Sequence, residues 1–264
     1  MPDDLPALVR AAPALRGIFC DVDDTLTKDG VLVPEAYAAL AAARAAGLHV
    51  VPVTGRAAGW AAVFASTWPV DAAIAENGAV YFRRAAGSRV VTARFWQSDA
   101  ERAAAQITLD RIRDDVLRHV PRARLADDQW LRRCDLAFDI GETQRLSNDE
   151  IDDILARIRK GGASATRSTI HAHAMSGDWD KARMCARLAR ELFGEDLDTT
   201  RSAWLFVGDS PNDQSCFAYF PLSVGVANVR RWLDVLSPPP RYVASKEGGE
   251  GFAEIVLALL GRAA

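Results

Sequence analysis

The sequence predicts an α/β protein, a doubly wound parallel sheet with a smaller α+β module inserted into it. Short apolar runs rich in β-formers alternate with alanine-rich stretches up to residue 82 and again from residue 175. That alternation is the pattern of a parallel sheet covered by helices. Between those points the chain turns arginine-rich and the alternation lapses. At 264 residues, the length suits one large domain or two modest ones.

In order, Ile18-Phe19-Cys20 reads as a buried strand that stops at Asp21-Val22-Asp23-Asp24-Thr25. Pro34-Glu35 opens an alanine-rich helix to Ala46, with Gly47 just past its end. Leu48 to Val53 is a second strand, ending in Thr54-Gly55-Arg56, and a helix follows from Ala57 to Ser66. Ala72 to Ala75 is a short strand, and Glu76-Asn77-Gly78 turns it into Val80-Tyr81-Phe82 as a hairpin. The insertion reads as strand Arg89–Phe95, helix Asp99–His119, strand Leu131–Ile140, a helix from Ser147 to Gly161, and a half-exposed strand Ala163–Ala174. Ser147 and Glu150 form the capping box of that second helix.

The sheet pattern resumes with helix Asp180–Phe193 and the apolar strand Ala203–Val207, which ends in Gly208-Asp209-Ser210-Pro211-Asn212-Asp213. Strand Leu222–Val226, helix Val229–Leu236, the break Pro238-Pro239-Pro240, strand Tyr242–Ala244 and helix Phe252–Leu260 complete the chain. The expected division is a Rossmann-like core of residues 1–82 and 175–264 with an inserted module at 83–174, joined at the exposed loop Gly78–Arg84.

Bulk properties narrow the function. The hydrophobic share of 49% and charged share of 25% are those of a soluble globular protein, and a net charge of −3 gives no cause to expect nucleic acid or an anionic membrane as partner. The start, MPDDLPALVRAAPALRG, lacks the basic and apolar blocks of a secretion leader, and no stretch approaches a membrane span. Cys20, Cys134, Cys185 and Cys216 are scattered without framework spacing, so buried thiols in a reducing cytoplasm are expected.

Two strands thus end in acidic clusters, Asp21/Asp23 and Asp209/Asp213. Open α/β sheets hold their ligands outside such carboxyl ends. Crowded carboxylates repel unless a cation or phosphate chemistry needs them. Thr54 ends another strand, and Lys181 stands in the first turn of a helix leading back to the sheet.

In this order and context the four sites resemble the haloacid dehalogenase-like (HAD) superfamily of phosphotransferases. The resemblance covers residues 14–82 and 175–264, and the usual glycine of its first motif is Asp24 here. It implies that Asp21 is a nucleophile forming an aspartyl-phosphate and that Asp23 is the general acid and base. Thr54, Gly55, Arg56, Lys181 and Asn212 would contact the substrate. Mg²⁺ would be held by Asp21, the backbone carbonyl of Asp23, and Asp209, with Asp213 orienting Lys181 or the metal shell.

The place and β-α-β order of the insertion resemble a type IIB cap. Ser176-Gly177-Asp178-Trp179-Asp180-Lys181 and Glu247-Gly248-Gly249-Glu250-Gly251-Phe252 resemble the sucrose-phosphatase and mannosyl-3-phosphoglycerate phosphatase branch. The implied function is a phosphomonoesterase acting on a small phosphorylated molecule, a sugar phosphate or phosphorylated sugar conjugate. A phosphomannomutase-type mutase shares the opening motif but not Val53-Thr54-Gly55-Arg56, and a silent binding module would have no reason to keep the four acidic and basic sites. Within the cap, alternation puts His171 and His173 on one strand face, where they either face the substrate with Arg167 or serve as ordinary sheet residues. The remaining cap arginines, including Arg132 and Arg133, are expected to solvate helix and loop faces.

Overall fold

The computed structural model describes residues 2–12, 14–85 and 87–261, so Met1, Pro13 and residues 262–264 of the expected core and Ala86 of the expected insertion lie outside the described residues. The first half contains α1 (Leu5–Ala11), β1 (Gly17–Cys20), β2 (Thr27–Lys28), β3 (Val31–Leu32), α2 (Pro34–Ala45), β4 (His49–Pro52), α3 (Ala58–Thr67), β5 (Ala73–Ala75), β6 (Val80–Arg84) and β7 (Val91–Phe95). Next come α4 (Asp99–His119), β8 (Asp135–Asp139), α5 (Asn148–Lys160), β9 (Ser164–Arg167) and β10 (His171–Met175). The remainder is α6 (Lys181–Leu188), α7 (Leu197–Thr200), β11 (Trp204–Gly208), α8 (Gln214–Tyr219), β12 (Leu222–Gly225), β13 (Tyr242–Val243) and α9 (Gly248–Leu260).

Five strands form one parallel sheet in the order β13-β12-β11-β1-β4. Its strands are buried on both faces, as continuous apolar runs require. β1 lies between β11 and β4 with Cys20 opposite both Val207 and Pro52. This register brings Asp21, Gly208-Asp209 and Val53-Thr54 to one edge of the sheet. The two halves of the chain meet in that pairing.

The insertion carries its own antiparallel sheet, β8-β10-β9, with α4 and α5 packed on it. Leu109, Ile112, Val116, Phe138, Ile154, Ile158 and Ala172 make its separate apolar core. The expected strand Ala163–Ala174 is interrupted by a turn at Ser168-Thr169-Ile170 that becomes the tip facing the main sheet.

Three expectations change. The strand at Val91–Phe95, placed in the insertion by sequence, pairs antiparallel with β6, and Val91, Ala93 and Phe95 pack on the core. The inserted module therefore departs after Phe95, and the expected boundary at 83 falls inside a core hairpin. Ala73–Ala75 forms the expected hairpin with β6 but joins the parallel sheet through an isolated Val53–Ile74 bridge rather than as a full strand of it. The last helix begins at Gly248, four residues before Phe252. A Cβ on Gly249 would lie 2.3 Å from Val33 and 2.6 Å from the Leu26 carbonyl, so close packing demands glycine inside this helix. No helix among the described residues is long and apolar enough to cross a membrane.

Candidate active site

Asp21 leaves β1 directly, and its N–H donates to the Val207 carbonyl at 2.8 Å. The Lys181 ammonium, at the first turn of α6, donates to Asp21 Oδ1 at 2.6 Å and to Asp213 Oδ1 at 2.7 Å. Asp180 caps that turn by accepting the Arg183 N–H, which fixes where Lys181 starts. All three partners are at most 2% exposed. Burial opposes the lysine charge, but the two carboxylates outweigh it and hold the ammonium protonated.

Asp21, Asp209 and Asp213 present carboxylate oxygens within 4.8 Å of one another. One buried lysine cannot neutralise three carboxylates. Burial, with Asp213 and Asp23 nearby, pushes Asp21 well up against the pull of Lys181, and burial with Asp21 and Asp213 does the same to Asp209. A cluster of hard oxygen donors with surplus negative charge fits a divalent cation such as Mg²⁺. Asp213 is the most committed of the three, because its Oδ2 also accepts the N–H groups of Asp209 and Ser210. A Cβ on Gly208 would sit 2.4 Å from that oxygen, so the loop needs glycine here. Asp209 is held by the Asn228 amide at 2.9 Å, with Arg231 farther out at 3.5 Å.

Asp23 faces Arg56, whose Nε donates to both its carboxylate oxygens at 2.8 and 3.0 Å. Burial works against the guanidinium charge and Asp23 more than offsets it. Thr54 is fully buried, and its hydroxyl accepts the Arg56 N–H at 3.0 Å, so it caps the turn while keeping its own proton to donate. Asn212 accepts from the Ser210 hydroxyl at 2.8 Å and its amide lies 3.4 Å from Asn77 Oδ1. Asp24 holds a left-handed conformation, φ 56°, tolerable for aspartate at the position expected of glycine.

The insertion closes over this edge. Asp21, Asp23, Gly55, Arg56, Ser168, Thr169, His171, His173, Ser210 and Asn212 line a cavity of about 10 Å³, room for about one water. Thr169 at the β9–β10 tip donates to Asp24 at 2.9 Å. A larger cleft of about 920 Å³ adjoins it, lined in part by Arg56, Glu142, Arg145, Arg167 and Trp232. Alternation placed His171 and His173 correctly on one face, with ring centroids 5.7 Å apart, whereas Arg167 lies in the outer cleft over the Trp232 ring.

Sequence reasoning missed the joint between the two modules. Glu76 is fully buried, and its carboxylate accepts N–H groups from Ala58 in the core and from Arg133, Cys134 and Asp135 in the insertion, at 2.6 to 3.0 Å. Burial and the Asp135 charge push its carboxyl up to about 7 against the pull of Arg132 and these N–H groups. Arg132 is a correction: far from solvating a surface, it is buried, bonding the Gly55 carbonyl at 2.9 Å and Asp135 at 2.9 and 3.1 Å. The Trp179 indole donates to the Glu76 carbonyl at 3.2 Å, tying the approach to Lys181 to the same joint.

Residues 18–113 match the family model of haloacid dehalogenase-like hydrolases. No curated protein matches the sequence. A Thermoplasma acidophilum protein, 0175, superposes with a TM-score of 0.72 at 20% identity, covering 94% of this chain and 99% of its own. The sucrose-phosphatase of Synechocystis sp. PCC6803, solved with sucrose and phosphate, gives 0.65 at 14% identity over 93% and 98% of the two chains. The HAD subclass IIB sugar phosphatase BT4131 gives 0.63 at 15% identity over 94% and 100%. The opening part of the chain thus matches the haloacid dehalogenase-like hydrolase family model, and the fold is shared along nearly its whole length with these solved structures.

Proposed function

We propose that the protein is a Mg²⁺-dependent phosphomonoesterase that works through an aspartyl-phosphate on Asp21, with a sugar phosphate or phosphorylated sugar conjugate, such as sucrose phosphate or mannosyl-3-phosphoglycerate, as substrate. The observation that carries this reading is the convergence of Asp21, Lys181, Asp209 and Asp213 within hydrogen-bond and ligand distance at one sheet edge. The substrate class is supported by the subclass IIB sugar phosphatase and the sucrose-phosphatase that share the fold. The four buried free thiols suit a reducing cytoplasm.

Asp21 attacks phosphorus, and the ester oxygen departs with a proton from Asp23. Water then attacks the same phosphorus, returning a proton to Asp23, releasing phosphate and restoring the Asp21 carboxylate. Lys181 holds Asp21 in line and offers its charge to the phosphoryl oxygens, joined by the Thr54 hydroxyl. Arg56 donates to both oxygens of Asp23. It must release Asp23 before that group can carry a proton, and its natural new partner is the phosphate, beside the Gly55 and Asn212 polar groups. Asp21, Asp209 and the Asp23 carbonyl would hold Mg²⁺, with Asp213 reaching it through Lys181 and the loop. When bound, the ion neutralises the carboxylate surplus and polarises the phosphoryl group.

The test is phosphate release from a panel of phosphorylated sugars with and without Mg²⁺. Asp21→Asn is expected to lower turnover at least ~10³-fold with an unchanged circular dichroism spectrum. Wild-type-like turnover in that variant, or hexose phosphate isomerisation without phosphate release, overturns the reading.

A further inference from the structure

The unusual group in the closed cavity is His173. It is 1% exposed, and its Nδ1 lies 3.0 Å from Asp135 Oδ2. Asp135 is held ionised, burial notwithstanding, by Arg132 and by His173 itself. An ionised carboxylate only accepts, so the proton is on Nδ1. Burial pulls the imidazole down to about 4 despite Asp135, so the ring is neutral and Nε2 is a bare acceptor. That Nε2 is buried and has no hydrogen-bond partner among the described residues. A histidine kept for packing alone would leave such an atom at a cost, since unpaired buried acceptors are strongly avoided.

Its surroundings point the acceptor at the reaction site. His173 lines the same cavity as Asp21, Asp23 and Arg56, and a Cβ on Gly55 would stand 3.1 Å from Nε2. Three donors there are engaged elsewhere: Arg56 with Asp23, Ser210 with Asn212, and the neighbouring His171 with Glu142. Arg132 bonds both Asp135 and the Gly55 carbonyl, so the acceptor is registered against the Thr54-Gly55-Arg56 turn.

We infer that His173 is a specificity-determining residue whose Nε2 accepts a hydrogen bond from a hydroxyl of the substrate close to the phosphoester, so that the substrate class is phosphomonoesters of polyols or sugars with a free hydroxyl one or two carbons from the ester. The inference rests on the phosphomonoesterase reading above and deepens it. The shared cavity sets the closeness: a donor that meets Nε2 while phosphorus meets Asp21 cannot sit far along the leaving group.

The probes are 2-hydroxypropyl phosphate, n-propyl phosphate and 2-methoxypropyl phosphate, with p-nitrophenyl phosphate reporting phosphatase activity separately. The wild type is expected to favour the hydroxyl ester over the propyl ester by about tenfold or more in kcat/KM, and to treat the methoxy ester no better than the propyl ester. In His173→Phe the hydroxyl preference should fall to about onefold. A wild type that treats all three alkyl esters alike, or accepts the methoxy ester as well as the hydroxyl ester, overturns the inference without need of a variant. A folded His173→Phe that keeps the preference overturns it too. Absence of p-nitrophenyl phosphate hydrolysis would instead strike at the phosphomonoesterase reading.

Discussion

A single negative charge at the sheet edge affects folding as well as chemistry. Without metal, Asp209 is a buried carboxylate beside Asp21 and Asp213, and Asp209→Asn removes like-charge repulsion. We expect that variant to melt ~2–4 °C above the wild type in chelator and to lose the stabilisation that Mg²⁺ gives the wild type; differential scanning calorimetry checks both. His173 sets an acid limit. Its folded value near 4 lies below the unfolded ~6.5, so its stability contribution is complete above pH 6.5 and is lost as pH falls towards 4. The loss amounts to at most about 3 kcal/mol, and His173→Phe should flatten that part of the stability–pH curve. At this scale the sequence was informative where chemistry dictates residue type: Asp21, Asp23, Thr54 and Asp209 stand out as polar ends of apolar runs, and Lys181 as a cation in the first turn of a helix. It was silent on Glu76 and Arg132, because an Asn-Gly turn and a cap arginine each have a sufficient local explanation, and only tertiary contact gives them another.

Among the elements, those with many periodic residues were readable and those defined by partners were not. Helices Pro34–Ala45, Asp99–His119 and Asn148–Lys160 carry caps and spacing that fix their limits within a residue or two. The strand Val91–Phe95 was recognisable as a strand, yet nothing local said that it would pair with Val80–Arg84. The β2–β3 hairpin is too short for periodicity to show. The joint between β5 and β8 rests on a carboxylate shared by backbone groups of both modules. Glu76→Ala leaves those N–H groups without their acceptor and should cost about 3 kcal/mol or more, a fall of at least ~6 °C in melting temperature. A shift under 2 °C in thermal denaturation would contradict this account of the joint.

For the molecule as a whole, the closed cavity of about 10 Å³ is too small for a phosphate group, so substrate entry requires the insertion to swing away. The contacts divide unequally. Thr169–Asp24 and Arg56–Glu142 join partly exposed side chains, while Glu76 and Arg132 hold the base of the insertion through buried groups. We expect the swing to pivot near Cys134, through the passages after Phe95 and around Ser176-Gly177, and to open at the β9–β10 tip. The expected junction at Gly78–Arg84 is no such passage, because Val80–Arg84 is part of a paired hairpin. Small-angle scattering curves should therefore differ with and without Mg²⁺ and orthovanadate. Identical curves would count against the motion.

The pairing of β1 with both β4 and β11 also orders events during synthesis. Strand β4 follows β1 within the first fifth of the chain, but β11 emerges from the ribosome only after the entire insertion. The insertion is contiguous and has its own apolar core, so it can complete its fold on the nascent chain while β1 still has one open edge. The nascent protein is thus unable to assemble Asp21 with Asp209 until β11 in its C-terminal third is made, and in that interval β1 presents an unpaired edge open to other strands.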